Sequence, residues 1–208
     1  MASKAKKTTR VVVKERILCE ATRLFGERGF GGVALRDIAK ACDIPLSTLS
    51  SHFPRKQDLQ EVVFKRAVEI VIKRDLTSRL ATGSPKQRFR RYLVNVVELF
   101  LSDLPEMKVM DREFQELDKR STFDLMARTS RDRVSMESQK FIADLAENTK
   151  SDILESISAD QLMRMVFAGI YGMVKLRPVY HQVTRGRVAS NEALTHDIVL
   201  MFERMLGI

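Results

Sequence analysis

Tryptophan is absent from this chain of 208 residues, which holds only 2 cysteines, 3 histidines and 5 prolines. Cys19 and Cys42 form neither a C-x-x-C pair nor a zinc spacing, which excludes a disulfide scaffold and a structural zinc site. The expectation is a cytoplasmic protein with reduced thiols. His52, His181 and His196 are scattered, so nothing supports a histidine-built metal site or catalytic triad. Long hydrophobic runs are also missing. Met165 to Val174, ten residues between Arg164 and Lys175, is the longest apolar run without a charge, whereas a membrane span needs roughly 20. Near the basic N-terminus only Val11, Val12 and Val13 stand together, too few for the apolar core of a signal peptide. No membrane partner is expected.

Apolar residues make up 44% and charged residues 30%, the balance of a folded domain rather than a disordered chain. Thirty-six Lys and Arg oppose 27 Asp and Glu, for a net charge of +9. The excess is uneven. Residues 1–58 carry 12 basic and 6 acidic side chains, a balance of +6, whereas the remaining 150 carry 24 and 21, a balance of +3. A basic segment of this kind suits a polyanion. Charge alone does not separate that reading from a solvated basic face on an ordinary helical bundle.

The apolar periodicity is helical nearly everywhere, and no alternating strand pattern or repeat is present. Ile17, Leu18, Ala21, Leu24 and Phe25 share one face of a helix running from about Val12 to Arg28 and stopping at Gly29. A short helix follows from Leu35 to about Cys42. Asp43 and Ile44 make a turn, and Pro45 to His52 forms a second short helix with Leu49 and Phe53 inward. A fourth helix carries Leu59, Val62, Val63, Ala67, Ile70 and Val71. Ser84 and Pro85 cap and open a fifth, whose stripe runs from Phe89 to Leu104 and which Pro105 ends. Further helices are expected over about Met107–Lys119, from Ser121 to about Asn148, over Leu162–Val179 and over Asn191–Leu206. Ser121 with Asp124, and Ser158 with Gln161, have capping-box spacing. The fold class is all-α: a basic flexible tail (1–11), a three-helix head (12–58) and a larger helical body (59–208).

Two short helices joined by a tight turn give the helix-turn-helix outline, in which the second helix enters the DNA major groove. Phe25 with Gly29-Phe30, Arg36-Asp37-Ile38-Ala39, Thr48-Leu49, His52-Phe53, then Lys56 and Leu59 form a long ordered motif. It resembles the N-terminal domain of the tetracycline-repressor (TetR) family over roughly residues 12 to 65. The resemblance implies core roles for Ile38, Ala39, Leu49 and Phe53. It implies phosphate or base contacts for Arg36, base reading by Leu46, Ser47, Ser50 and Ser51, backbone or base contacts for Thr48 and His52, and a phosphate contact for Lys56. Lys4, Lys6, Lys7 and Arg10 suit either a phosphate-tracking arm or a merely solubilising tail. Three positions depart from the family's pattern. Ala34 stands where Ser or Thr caps the second helix, Asp43 where Gly makes the turn, and Ser50 where Tyr reaches a phosphate.

Beyond the head the resemblance is one of layout. It implies a helical body that binds a small-molecule effector and dimerises. Tyr92, Val96, Phe100, Met110, Phe114, Met126, Phe167 and Tyr171 are candidate cavity residues; plain core packing is the leading role for each, and only the family layout favours a cavity. Chain-wide, 10 Met and 11 Phe suit an adaptable apolar lining. Glu98 and Arg164 interrupt apolar stretches, as ligand-orienting charges or as outward-facing ones. The last two helices are expected to form a four-helix bundle in a homodimer, with Ile198 and Phe202 at the interface. The implied function is a transcriptional regulator, usually a repressor, released from a palindromic double-stranded operator by an apolar or amphipathic ligand. The alternative keeps DNA binding without small-molecule control. No cofactor or metal is expected, and no nucleophile-base pair, phosphate loop or metal cluster points to an enzyme.

Overall fold

The structure, a computed structural model, describes residues 2–79, 82–115, 139–149, 151–179 and 190–208, with side chains described in these stretches except at 2–9, 75–79, 114–115 and 160. All regular structure among the described residues is helical. The order is α1 (Ala2–Arg28), α2 (Leu35–Ala41), α3 (Leu46–His52), α4 (Lys56–Arg79), α5 (Pro85–Leu101), α6 (Pro105–Gln115), α7 (139–149), α8 (Asp152–Ser156), α9 (Ala159–Lys175) and α10 (Asn191–Leu206). A single helical turn at 177–179 follows α9.

Two compact units emerge, and they do not follow the expected boundary near residue 58. One contains residues 1–70 and 103–129, the other 71–102 and 130–208. The first division falls inside α4, because one uninterrupted helix carries the chain out of the head. The second places α6 with the head, although it follows α5 in sequence.

In the first unit α1 is longer than expected. It begins at Ala2 rather than Val12, so residues 2–11 are helical backbone instead of the flexible tail that their charge suggested. Ala2, Ala5 and the lysines at 4, 6 and 7 are strong helix formers, and no Gly or Pro interrupts them. The inward stripe of α1 is as expected, with Ile17, Leu18, Ala21, Leu24 and Phe25 buried, and Gly29 ends the helix at φ +72°. Helix α6 crosses α1 at Gly26, where a Cβ would lie 2.9 Å from Lys108 Cβ and 3.0 Å from the Pro105 carbonyl oxygen. Only a residue without a side chain permits that approach. Arg112 fastens this crossing by donating to the Glu27 carbonyl at 3.2 Å, and Gln60 ties α4 to α6 by donating to Glu113 at 2.9 Å.

In the second unit the α5 stripe is buried as its periodicity required, from Phe89 through Tyr92, Leu93, Val96 and Val97 to Phe100. The helix nevertheless ends at Leu101, and Pro105 opens α6 instead of closing α5. Ser84 accepts the Gln87 N–H at 3.3 Å, and Ser158 accepts the Gln161 N–H at 3.2 Å, so both expected caps form. The Ser121–Asp124 signature lies outside the described residues. Helices α9 and α10 pack against α5. Buried Glu203 of α10 pairs with Arg90 of α5 at 2.7 Å.

The α2 N-terminus carries half of a capping box. The Ala34 N–H donates to Asp37 Oδ2 at 2.8 Å, but Ala34 has no side-chain oxygen to return the bond. Its backbone is already in N-cap geometry, at φ −98° and ψ 155°. Ala34→Ser is therefore expected to complete the box and stabilise the chain by ~1 kcal/mol. For a protein of this size that raises Tm by about 2–4 °C. Thermal denaturation followed by circular dichroism measures it, and an unchanged or lower Tm contradicts the capping account.

Candidate nucleic-acid interface

The site begins with a turn. After α2, Asp43 adopts the left-handed conformation at φ +49°. Its N–H donates to the Lys40 carbonyl at 3.1 Å and the Ile44 N–H to the Ala39 carbonyl at 3.0 Å, the paired bonds of a Schellman stop. An aspartate thus makes the turn where the family resemblance suggests glycine. Pro45 then stands immediately before α3 as its N-cap. Leu49 is fully buried and Phe53 almost so, alongside Ile38 and Ala39 of α2, which fixes the rotation of α3 about its axis.

That rotation decides what α3 presents. Leu46, Ser47 and Ser51 are exposed, and Thr48, Ser50 and His52 are half-buried. The Ser51 hydroxyl donates to the Thr48 carbonyl at 2.7 Å. Arg36, near the α2 N-terminus, is exposed. An open hollow of about 720 Å³ brings several of these residues together: Arg36, Leu46, Ser50 and Lys56 line it with the 31–35 segment and Asp37. Ser47, Thr48, Ser51 and His52 are not part of its lining.

Lys56 is placed differently from a free phosphate ligand. It opens α4 as expected, but its ammonium donates to the Phe30 carbonyl and lies 4.1 Å from the centre of the Phe30 ring. Partial burial lowers its pKa, and the carboxylate of Asp37 opposes that shift. Lys56 therefore ties the start of α4 to the loop after α1, and any phosphate contact uses its remaining N–H bonds. Arg55 beside it is ion-paired with Asp58 at 2.6 Å.

His52 has neighbours that the sequence reading did not connect to it. Burial lowers its pKa below the ordinary histidine value, and the positive charges of Arg10 and Lys14 lower it further. Lys14 also sits 5.9 Å from the centre of the Phe53 ring. Two basic residues of α1 thus border the end of α3. Their charges were visible in the sequence, but their position was not, because it depends on how α1 crosses the short helices.

In the second unit, Phe100, Phe167 and Tyr171 form an aromatic cluster, with ring centres 4.8 and 5.4 Å from Phe100. Tyr92 and Val96 are buried on the same α5 face. Met110 is buried on α6, in the first unit. The side chain of Phe114 and all of Met126 lie outside the described residues. Glu98 and Arg164 are exposed, which is the outward-facing alternative for both.

The expected interface residues Ile198 and Phe202 lie on the inner side of α10 instead. Ile198 is 2% and Phe202 3% exposed within the single chain, and the Phe202 ring lies over Gly169 of α9. They face the protomer's own core. What α10 presents outward is Met201 and Met205, and α9 with its following turn presents Met165, Ala168, Leu176 and Val179. The sequence reading recognised that α9 was apolar on more than one side, but assigned the inner stripe of α10 to the outside.

Two outcomes follow from this geometry. Ser50 is half-buried at the edge of an open hollow, so Ser50→Tyr has room for its ring. The variant should retain the parent's circular dichroism spectrum and melting curve, with non-specific DNA affinity equal or higher. Misfolding would show that the hollow cannot take the ring. For His52 the sign follows from its lowered folded pKa. Its contribution to stability is present above the unfolded value of about 6.5 and is lost as pH falls through the folded pKa. A phosphate beside it would favour the imidazolium, so DNA binding should take up a proton and strengthen as pH falls below 7. His52→Gln should flatten that pH dependence. An unchanged pH profile removes His52 from the contact surface.

The family model for bacterial regulatory proteins of the tetR family matches residues 17–63, the span from α1 into α4. The HTH-type transcriptional repressor DhaR of Mycobacterium sp. (strain GP1) is 28% identical over 91 residues, 43% of this chain and 46% of DhaR. YttP of Bacillus subtilis (strain 168), a probable HTH-type transcriptional regulator, is 27% identical over 90 residues, 42% of this chain and 44% of YttP. The match thus spans about half the length of these curated relatives. The likeness of fold is wider. The crystal structure of AibR in complex with isovaleryl coenzyme A and operator DNA has a TM-score of 0.64 at 19% identity, covering 91% of this chain and 97% of AibR. A transcriptional regulator from Saccharomonospora viridis in complex with choline has a TM-score of 0.69 at 22% identity, covering 95% and 96%. Residues 17–63 thus resemble the DNA-binding domain of the tetR family of bacterial regulatory proteins, and the wider likeness to these solved structures is one of fold.

Proposed function

We propose that this chain is a sequence-specific DNA-binding transcriptional regulator, a homodimeric repressor released from a palindromic operator by a small apolar or amphipathic molecule. The observation that carries this reading is the exposed face of α3. Leu49 and Phe53 bury one side of the helix, and Leu46, Ser47 and Ser51 stand outward from the other, with Arg36 and Lys56 nearby. That is the arrangement in which a helix enters the major groove and flanking cations meet phosphate. The family is one of regulators rather than an enzyme class. Among the described helices, none is long and apolar enough to cross a membrane.

Dimerisation rests on the outward faces of α9 and α10. Met165, Ala168, Gly172, Leu176 and Val179 recur every three or four residues, and a Cβ at Gly172 would meet nothing within 4 Å. Met165 is 51% exposed, Leu176 48% and Met201 41%. A stripe of that kind on two neighbouring helices suits a second copy of the same pair, closing a four-helix bundle. Two-fold symmetry then sets two recognition helices on half-sites one DNA turn apart.

The effector site belongs to the second unit, around Phe100, Phe167 and Tyr171. Two structural relatives were solved in complex with isovaleryl coenzyme A and with choline, an acyl thioester and a quaternary ammonium. They support small-molecule control as a theme while leaving this chain's ligand to its own lining. Release by a hundredfold requires the ligand to favour the non-binding conformation by ~2.7 kcal/mol, within the usual range of allosteric coupling.

The test starts with selection of bound sites from a random DNA pool, followed by anisotropy titration of the selected operator over a range of salt. A palindrome and a steep salt slope are expected. Leu176→Lys with Met201→Lys should give a folded monomer in sedimentation with much weaker operator binding. A stable monomer that binds the operator as tightly as the parent contradicts the dimeric reading. A broad panel of apolar compounds is then titrated against the operator complex, with and without Tyr171→Ala. If no compound shifts the curve, the DNA-binding alternative without small-molecule control replaces this one.

A further inference from the structure

The recognition helix is chemically unusual in what it offers to bases. From Leu46 to Ser51 it holds no Arg, Lys, Asn, Gln, Asp or Glu. Those are the side chains that discriminate bases by bidentate or charge-assisted hydrogen bonds in the major groove. The hydroxyls that replace them are short, and the one on Ser51 spends its hydrogen on the Thr48 carbonyl at 2.7 Å. It keeps only acceptor capacity toward a base. Arg36 lies on α2, and His52 is at the far end of α3 beside the positive charges of Arg10 and Lys14.

Leu46 is the exception in size and polarity. It is the first residue of α3, it is 38% exposed, and it lines the open hollow with Ser50 and Arg36. Apart from Val11 and Val12 on α1, it is the only exposed large hydrophobic side chain among the described residues of α1 to α3. Leu49, three residues on, is fully buried, so the core has no use for Leu46. Leaving leucine in water at the tip of a helix gains nothing for the free protein. In the major groove, the one apolar group on a base edge is the 5-methyl of thymine. Short neighbouring serines let the helix approach closely enough for the two to meet.

We propose that Leu46 is the principal specificity determinant of α3 and that it reads the 5-methyl group of one thymine in each half-site. This rests on the DNA-binding reading above. The readout is apolar burial rather than hydrogen bonding, and so differs in kind from a bidentate purine contact. Burying a methyl-sized group contributes ~0.8 kcal/mol, or about fourfold in affinity. Two half-sites together give about fifteenfold.

The experiment uses the full-length protein and an operator selected from random DNA. Each thymine is replaced in turn by deoxyuridine, which removes the methyl and leaves base pairing intact. Affinity is read by anisotropy. One thymine per half-site should show the fourfold loss with the parent protein and no loss with Leu46→Ala. Because Leu46 is exposed, that variant should keep the parent's melting curve. Leu46→Gln provides a second measurement: an amide there should move the preferred base at that position from thymine toward adenine in a repeated selection. The proposal is overturned if deoxyuridine is tolerated at every thymine by the parent protein, or if Leu46→Ala keeps the same penalty. Failure to select any DNA would overturn the DNA-binding reading itself, and this proposal with it. That outcome is distinct, because it appears before any thymine is altered.

Discussion

Two apolar side chains, Leu49 within α3 and Phe53 just after it, hold the head together. A helix of two turns has no stability of its own in water. It exists here because Leu49 and Phe53 enter a core shared with Ile38, Ala39 and the inner stripe of α1. Each such side chain contributes about 1.5–3 kcal/mol on burial. The same contact fixes the helix's rotation, and the rotation alone decides that Leu46, Ser47 and Ser51 face outward. Were the phase shifted by one residue, the serines would be buried without partners and the leucine would face solvent. The exposed face of α3 is thus a by-product of packing.

Around this core the head is stiffened by contacts of different kinds. Asp43 accepts a left-handed backbone that closes the turn. Lys56 uses its ammonium on the Phe30 carbonyl and ring, which anchors the first turn of α4. Helix α6 lies against α1 where Gly26 leaves room for it, and Arg112 secures the crossing by capping the α1 carboxyl end. The first unit is therefore more than the helices at the start of the chain. It includes an element that the chain reaches only after passing through α5.

The last two helices show how an apolar pattern can be read correctly in period and wrongly in phase. In α10, Ile198, Met201, Phe202 and Met205 all fall on a broad apolar arc. The protomer takes Ile198 and Phe202 for its own core, against Gly169, and leaves the two methionines outside. Both halves of the arc are hydrophobic, so the hydrophobic effect, which has no direction, cannot say which half meets which neighbour. Buried Glu203 adds the polar constraint that resolves it, because its pairing with Arg90 ties that face of α10 to α5.

The one-dimensional pattern was enough for helix type, most helix ends and the helix-turn-helix itself. These are local properties: glycine and aspartate at left-handed stops, serine caps with glutamine three residues on, and a 3.6-residue stripe. It was also enough for the inward side of α3, since Leu49 and Phe53 sit at i and i+4 and both are buried. Contacts between residues far apart in the chain were decided only in three dimensions. They put Arg10 and Lys14 beside His52, α6 with the head, the Lys56 ammonium on Phe30, and Ile198 and Phe202 inside rather than outside. Each depends on how one helix crosses another. Crossing is set by the shapes of two surfaces at once, and no single stretch of sequence contains both.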